Sequence, residues 1–424
     1  MKVDDLAIRG GKPVLRKAIE EGWRTIRVGD LWPIWRMARR GINTGYGKGS
    51  PAGRFERDFA RRVGAPYAVA MNSGTSALHS AFFAVGVRPG DEVLVPSYAF
   101  AASVTPILQC GAVPVFCDVD ARTLTLAPAE IERKSTERTR AVCVVHVWGN
   151  PAQMDRIVEL AGERNIAIVE DCSHAHGATF QGRSVGSWGE AGCFSLQGNK
   201  AVSGGEAGIA VTRDAGIHDR MLVLGHFGRG GEQVNRAYEI GKFSLGVKYR
   251  PHLFAMLLAE RSLERLEELN HLRTQNYARL GESLADCPAL ETIASYPDAR
   301  RGGFLEFILR YRPEEAGGWN LGAFLQAVRA EGVPAVRDRY TQWNRNSGLL
   351  HDSALFHESW AEELGVRTIP SAGWLEDFPV SRTLPDQLIT LPAWTDVAAD
   401  SIPQVGQALK KVVNVARGQV DLRK

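Results

Sequence analysis

A chain of 424 residues, 44% of them hydrophobic and 23% charged, is long enough to bury a substantial core in at least two layers or domains. Its 51 lysines and arginines nearly balance 48 aspartates and glutamates, for a formal charge of +3; no segment concentrates the excess, so nucleic acid is not an expected partner. The leader MKVDDLAIRGGK carries two aspartates where a signal peptide needs its apolar core, and no window approaches the ~18 apolar residues of a membrane span, so a cytoplasmic protein without membrane contact is expected.

In chain order, residues 1–25 read as an N-terminal arm, 26–265 as a large α/β domain and 266–424 as a smaller α+β domain. The stretch Asn43–Gly53, with four glycines, reads as a loop. From Tyr67 to Thr212, short β-branched runs alternate with helical patterns, which predicts a mostly parallel sheet. The seven runs are YAVAM, EVLVPS, AVPVFCDVD, AVCVVHVW, IAIVED, GCFSL and GIAVT. Helices are predicted over Ser76–Val87, Phe100–Cys110, Ala127–Lys134 and Met154–Arg164. Ligands of such sheets bind beyond the carboxyl ends of the strands. After Arg250-Pro251, HLFAMLLAERSLERLEELNHLRTQNYARLGESL predicts one long helix or two in tandem, bridging the domains. Then come a strand at FLEFILRY, a helix at LGAFLQAVRAEG, an irregular segment around Trp343, and a closing helix near Ile402–Val415.

The cysteines Cys110, Cys117, Cys143, Cys172, Cys193 and Cys287 contain no C-x-x-C pair and lie mostly in apolar runs. They read as buried free thiols in a reducing compartment, with no metal site.

Chemistry is sought first at Lys200, in SLQGNKAVSGGEAG. A P-loop needs G-x-x-x-x-G-K-[ST], but here Gly198 and Lys200 are not adjacent and no hydroxyl follows the lysine; a Rossmann G-x-G-x-x-G is also absent. A lysine that bonds a cofactor covalently needs an acidic partner from the same sheet, and Asp171 ends the apolar run IAIVED. It also needs an anion cradle, which Gly74, Thr75 and Ser76 of MNSGTSAL supply at a strand-to-helix turn. The glycines after Lys200 read as room for cofactor and substrate to approach the backbone.

The motifs FERDFA, NSGTSALHSA, PGDEVLVPSYAF, PVFCDVD, HVWGNPAQMD, EDCSHAHGA, GCFSLQGNK, GGEAG and LGVKYR follow in order. With them the chain resembles the DegT/DnrJ/EryC1/StrS family of pyridoxal phosphate (PLP)-dependent sugar and cyclitol aminotransferases, from about Arg54 to Arg250 and more weakly beyond. The resemblance implies the aspartate-aminotransferase (type I) fold, with Lys200 as Schiff-base lysine and acid/base. It implies that Asp171 pairs with the pyridine nitrogen and that His174 bonds the ring hydroxyl. Thr75, Ser76 and Ser195, with Gly74, would hold the phosphate, and Phe100 would stack on the ring. Lys248 stands where many members carry an asparagine that reaches the neighbouring subunit's cofactor phosphate, which implies a homodimer with active sites at its interface. His176 reads more as a core histidine, and Tyr340, in VRDRYTQWN, as packing or as a wall of the substrate pocket.

The resemblance implies L-glutamate or L-glutamine as amino donor. The leader IRGGKPVLRKAI is more similar to the cyclitol and aminohydroxybenzoate-type branches, which favours a keto-sugar or keto-cyclitol acceptor in antibiotic or secondary-metabolite biosynthesis. A nucleotide-linked (dTDP or UDP) keto-hexose is the alternative. Two further readings are a lyase or dehydratase of the family, disfavoured because the 3-dehydratase branch has histidine in place of the lysine, and a PLP-binding regulator without turnover.

Overall fold

The computed structural model describes residues 3–41, 46–47, 49–226, 228–229, 245, 247–340 and 378–421. The irregular segment around Trp343 lies outside the described residues, as do residues 42–45 and 48 of the glycine-rich stretch.

All seven expected runs become strands of one sheet: β1 (Tyr67–Met71), β2 (Glu92–Pro96), β3 (Val113–Cys117), β4 (Thr139–Val145), β5 (Ala167–Asp171), β8 (Ala191–Ser195) and β9 (Gly208–Thr212). Between β5 and β8, the two-residue strands β6 (Thr179–Phe180) and β7 (Arg183–Ser184) form a hairpin outside that sheet. The order is β1-β9-β8-β5-β4-β2-β3. β8, β5, β4, β2 and β3 pair in parallel, whereas β9 is antiparallel to both β1 and β8. Parallel neighbours need a crossover, usually a helix; the chain runs from β8 to β9 through a helix-free loop, so β9 must turn back. β1, β5 and β8 therefore point the same way, and their carboxyl ends share one edge. Apolar residues run almost unbroken through β2, β4 and β5, and nearly all are buried, as strands covered on both faces require.

The helices depart from expectation where caps and prolines decide. The helix expected from Ser76 starts at Gly74 and ends at Ala84, because the Ser73 hydroxyl accepts the Ser76 N–H at 3.0 Å. Phe100–Cys110 splits into a 3₁₀ turn, Ala101–Ser103, and a short helix, Thr105–Gln109. Phe100 is extended (φ −72°, ψ 154°), and Pro106, which has no N–H, fits only the first turn. The end of the glycine-rich stretch is helical: Ser50 caps Pro51–Val63 by accepting the Gly53 N–H at 3.1 Å, with Pro51 in first position. The remaining two, Ala129–Lys134 and Met154–Glu163, lie within their expected spans.

The long apolar-periodic stretch is two tandem helices, Leu253–Glu264 and Leu266–Ser283, which meet at Arg265 (φ −100°, ψ 2°). The first packs its buried face under the large sheet with Phe55 and Phe59. The second reaches a four-stranded antiparallel sheet, β10 (Leu290–Thr292), β12 (Glu306–Tyr311), β14 (Leu388–Pro392) and β13 (Val336–Arg337), in that order. Helices Leu321–Ala330 and Ser401–Asp421 complete its core, into which Leu6 and Leu15 of the N-terminal arm are also buried. A two-residue strand β11 (Ala299–Arg300) joins the β6–β7 hairpin.

Candidate active site

The shared edge of β1, β5 and β8 bounds a cavity of about 410 Å³. Gly74 and Thr75 follow β1, Asp171 ends β5, Ser195 ends β8, and Lys200 sits in the β8–β9 loop, its N–H bonded to the Gln197 carbonyl at 2.9 Å. Phe100, His174 and Tyr340 line the same space. Of the expected cofactor residues, Ser76 and Lys248 do not line it.

Asp171 is buried, and two donors fix its carboxylate: Ser103 Oγ at 2.7 Å on Oδ2 and the Ser173 N–H at 3.0 Å on Oδ1. Burial pulls the Lys200 pKa from 10.5 down to about 8; the nearby Arg339 charge lowers it further, while Asp171 and Glu306 oppose the shift. A lysine so shifted is in part a neutral amine near pH 7.5, as a nucleophile or base must be.

The other end of the cavity is built for an anion. Gly74 and Thr75 open an 11-residue helix, and the first N–H groups of a helix have no intrahelical acceptor. Gly74 is required by packing: a Cβ there would lie 2.8 Å from Ser195 Cβ. Ser76 is turned away from the cavity: its hydroxyl donates to Asn72 Oδ1 at 2.6 Å and lies 2.8 Å from Ser73 Oγ. It secures the start of the helix, and Ser73, Thr75 and Ser195 are the hydroxyl residues that line the cavity at this end.

One wall is aromatic. The Tyr340 ring stacks on Trp148 (4.5 Å between centroids) and on His174 (5.5 Å, 8° between planes), and Phe100 lies 5.8 Å from Tyr340. His174 Nδ1 accepts the Trp148 N–H at 3.2 Å, and Nε2 lies 2.9 Å from Tyr340 Oη. Burial holds His174 well below the usual histidine pKa, so the neutral ring carries its proton on Nε2 and donates it to Tyr340. A bond from His174 to a cofactor hydroxyl thus competes with Tyr340. Tyr340 itself is a pocket wall.

The expectation for one group of residues changes. The glycines after Lys200 do not clear space for a ligand: Gly204 faces the Ala255 carbonyl, Gly205 has φ +89°, and Gly208 abuts the Ser73 carbonyl. Backbone meets backbone there, and the loop turns, so a Cβ is excluded by the protein itself. The Lys248 side chain is exposed, and its carbonyl accepts from Asn72 Nδ2 at 3.5 Å. His176 is buried against Phe59 and Phe194, off the cavity. All six cysteines are free. Cys172 lies near His146 and Glu170, but the carboxylate is already filled by the N–H groups of Gly186, Trp188 and Gly189 at 2.7 to 2.8 Å and by His146 Nε2 at 3.1 Å. That trio braces a loop.

Sequence reasoning missed Ser103, Arg339 and Glu306. Arg339 lines the cavity and forms an ion pair with Glu306, the first residue of β12 in the second sheet. Burial lifts Glu306 to about 7, against the pull of Arg339. Neither has a local motif; VRDRY marked only its tyrosine.

A mostly parallel seven-stranded sheet with a buried lysine and carboxylate at its carboxyl edge is the arrangement of the type I PLP-dependent transferase fold. The chain belongs to the DegT/DnrJ/EryC1/StrS aminotransferase family, which it matches over residues 39–346. It is 30% identical over 374 residues to the spore coat polysaccharide biosynthesis protein SpsC of Bacillus subtilis (87% of this chain, 91% of that one). It is 36% identical over 306 residues to the L-glutamine:2-deoxy-scyllo-inosose aminotransferase of Streptomyces fradiae (67% and 69%). Among solved structures, DesI, crystallised in the presence of its TDP-sugar product, is similar at a TM-score of 0.78 and 26% identity, covering 99% of both chains.

Proposed function

We propose that this chain moves the amino group of L-glutamine or L-glutamate onto a keto-cyclitol or keto-sugar, using PLP held in the cavity. The observation that carries the proposal is Lys200, shifted by burial to about 8 and facing a cavity shared with the fixed carboxylate of Asp171 and the open helix end at Gly74. The residues fit the cofactor: a buried acid for a ring nitrogen, an amine for an aldehyde, and unpaired N–H groups for a phosphate.

PLP, when bound, supplies the electron sink that lets a substrate Cα–H bond break. Lys200 Nζ would hold the cofactor covalently and, once freed by the donor amine, move a proton from the donor carbon to the cofactor. Asp171, held by Ser103 and Ser173, would keep the ring nitrogen protonated. Thr75, Ser195 and the N–H groups at Gly74 and Thr75 would bind the phosphate. Phe100 would cover one ring face. The Tyr340 ring, backed by Trp148, would exclude water from the reacting carbon.

The acceptor class rests on the Streptomyces fradiae relative, named for an L-glutamine donor and a keto-cyclitol acceptor. Adding L-glutamine to the PLP-loaded protein should remove the visible absorbance of lysine-bound cofactor, and 2-deoxy-scyllo-inosose should restore it. Failure of the first step with both L-glutamine and L-glutamate sinks the aminotransferase; failure of the second alone redirects the acceptor. The TDP-sugar product of DesI supports the nucleotide-linked keto-hexose alternative, which predicts that dTDP or UDP raises the melting temperature of the loaded enzyme.

The proposal includes a cytoplasmic homodimer. Free cysteines are in keeping with a reducing compartment. The helix Leu31–Arg40 exposes stacked Trp32 and Trp35, with Val28 87% exposed beside them, an apolar face that suits a second copy. Trp32→Glu with Trp35→Glu should lower the sedimentation coefficient to that of a monomer; an unchanged dimer would remove this face from the interface.

A further inference from the structure

The cavity must accept two unlike molecules in turn. On the aminotransferase reading, on which this inference rests, the donor carries an α-carboxylate beside the reacting carbon, whereas a keto-cyclitol or unmodified keto-sugar is neutral. Among the described residues, the cations that line the cavity are Lys200 and Arg339. Lys200 is committed to the cofactor and the proton, so of the described cations of this subunit Arg339 is the one left for a carboxylate.

Arg339 follows β13 and is half exposed, while its partner Glu306, which opens β12, is 17% exposed. The pair uses only Oε1 of Glu306. Among the described residues Oε2 is buried with no hydrogen-bond partner, and a buried acceptor left unmatched costs free energy. Glu306 is thus an incompletely satisfied partner, and Arg339 can exchange it for a ligand that offers both oxygens to its planar fork.

We infer that Arg339 binds the α-carboxylate of the amino donor and that Glu306 is the stand-in anion that holds Arg339 when a neutral ketone occupies the cavity. With donor bound, Arg339 turns to the substrate carboxylate. With ketone bound, it returns to Glu306, and the cavity presents no uncompensated cation beside the acceptor. The charges of Lys200 and Arg339 are close enough to perturb each other, as needed when the carboxylate is one bond from the carbon that Lys200 serves. Burial and the charge of Asp338 both raise the Glu306 pKa, so a Glu306 that loses Arg339 can take a proton from solvent instead of remaining a bare buried carboxylate.

The test uses the PLP-loaded enzyme and two amino donors, L-glutamine and L-glutaminamide, which lacks the carboxylate. The apparent dissociation constant of each is read from the change in cofactor absorbance on donor addition. In the wild type, L-glutamine binds more tightly. Arg339→Gln should weaken L-glutamine by about 10- to 100-fold, the loss of a charge-assisted hydrogen bond, and barely change L-glutaminamide. Glu306→Gln frees Arg339 and should tighten L-glutamine several-fold, again without effect on the amide. If Arg339→Gln keeps the wild-type preference for L-glutamine, the carboxylate is bound elsewhere. If Glu306→Gln weakens L-glutamine as Arg339→Gln does, the pair is a scaffold and the exchange is wrong. A wild type that responds to neither amine nor to L-glutamate fails the aminotransferase reading itself, a separate outcome.

Discussion

The shifted basicity of Lys200 can be tested on the apoenzyme by following how fast it captures PLP as pH changes. Only the neutral amine attacks the aldehyde, so the rate follows the deprotonated fraction and rises with pH through the lysine's own pKa. With that pKa at about 8 in place of 10.5, the neutral fraction at pH 7.5 is about a quarter, against about one part in a thousand for an ordinary lysine. The structure therefore gives roughly a two-hundred-fold advantage at that pH, most of it from burial. The assay is the growth of the visible cofactor band over pH 6.5 to 9.5, fitted for a midpoint. The midpoint should lie near 8, move up in Arg339→Gln, which removes a charge that lowers the pKa, and move down in Asp171→Asn, which removes one that raises it. A wild-type rate still rising steeply above pH 9.5, or a midpoint indifferent to both substitutions, would refute the reasoning.

Two other perturbations test the scaffold. Gly208→Ala should push the backbone of Ser73 and Gly74 away from β9, costing about 1 to 3 kcal/mol by overpacking. Because the helix end moves with it, PLP affinity should fall as well as the urea midpoint; a stable variant with wild-type affinity would mean that this contact does not position the cradle. Glu170→Ala should leave the N–H groups of Gly186, Trp188 and Gly189 and the His146 ring without an acceptor. The expected loss is about 3 to 5 kcal/mol, read as a lower urea midpoint, and a change below about 1 kcal/mol would show that water or a rearranged loop replaces the carboxylate.

The strands were legible because a sheet covered on both faces needs short apolar β-branched runs, and each of the seven stands between turn signals. Asp171 and Ser195 were legible for the same reason: once a run is read as a strand, the residue at its end is at the ligand edge. Lys200 could be singled out by its flanking glycines, but their purpose was misread, since the approach of Ala255 and Ser73 brings together residues far apart in sequence. For Ser76 the sequence leaves a cap and an anion site both open, because a hydroxyl at a helix start suits either; the Asn72 and Ser73 contacts supply the cap. Ser103 and Glu306 left no trace in any motif. Each matters through a single partner, Asp171 or Arg339, that the fold brings within reach.

By itself, then, the sequence determined the type of sheet, the edge where chemistry occurs and the lysine–carboxylate pair, because periodicity and strand ends are local properties. The tertiary structure decided the basicity of Lys200, the tautomer of His174 and the meeting of Arg339 with the cavity. Those depend on burial and on distances between elements, which are set by packing the second sheet against the first and appear in no stretch of chain read alone.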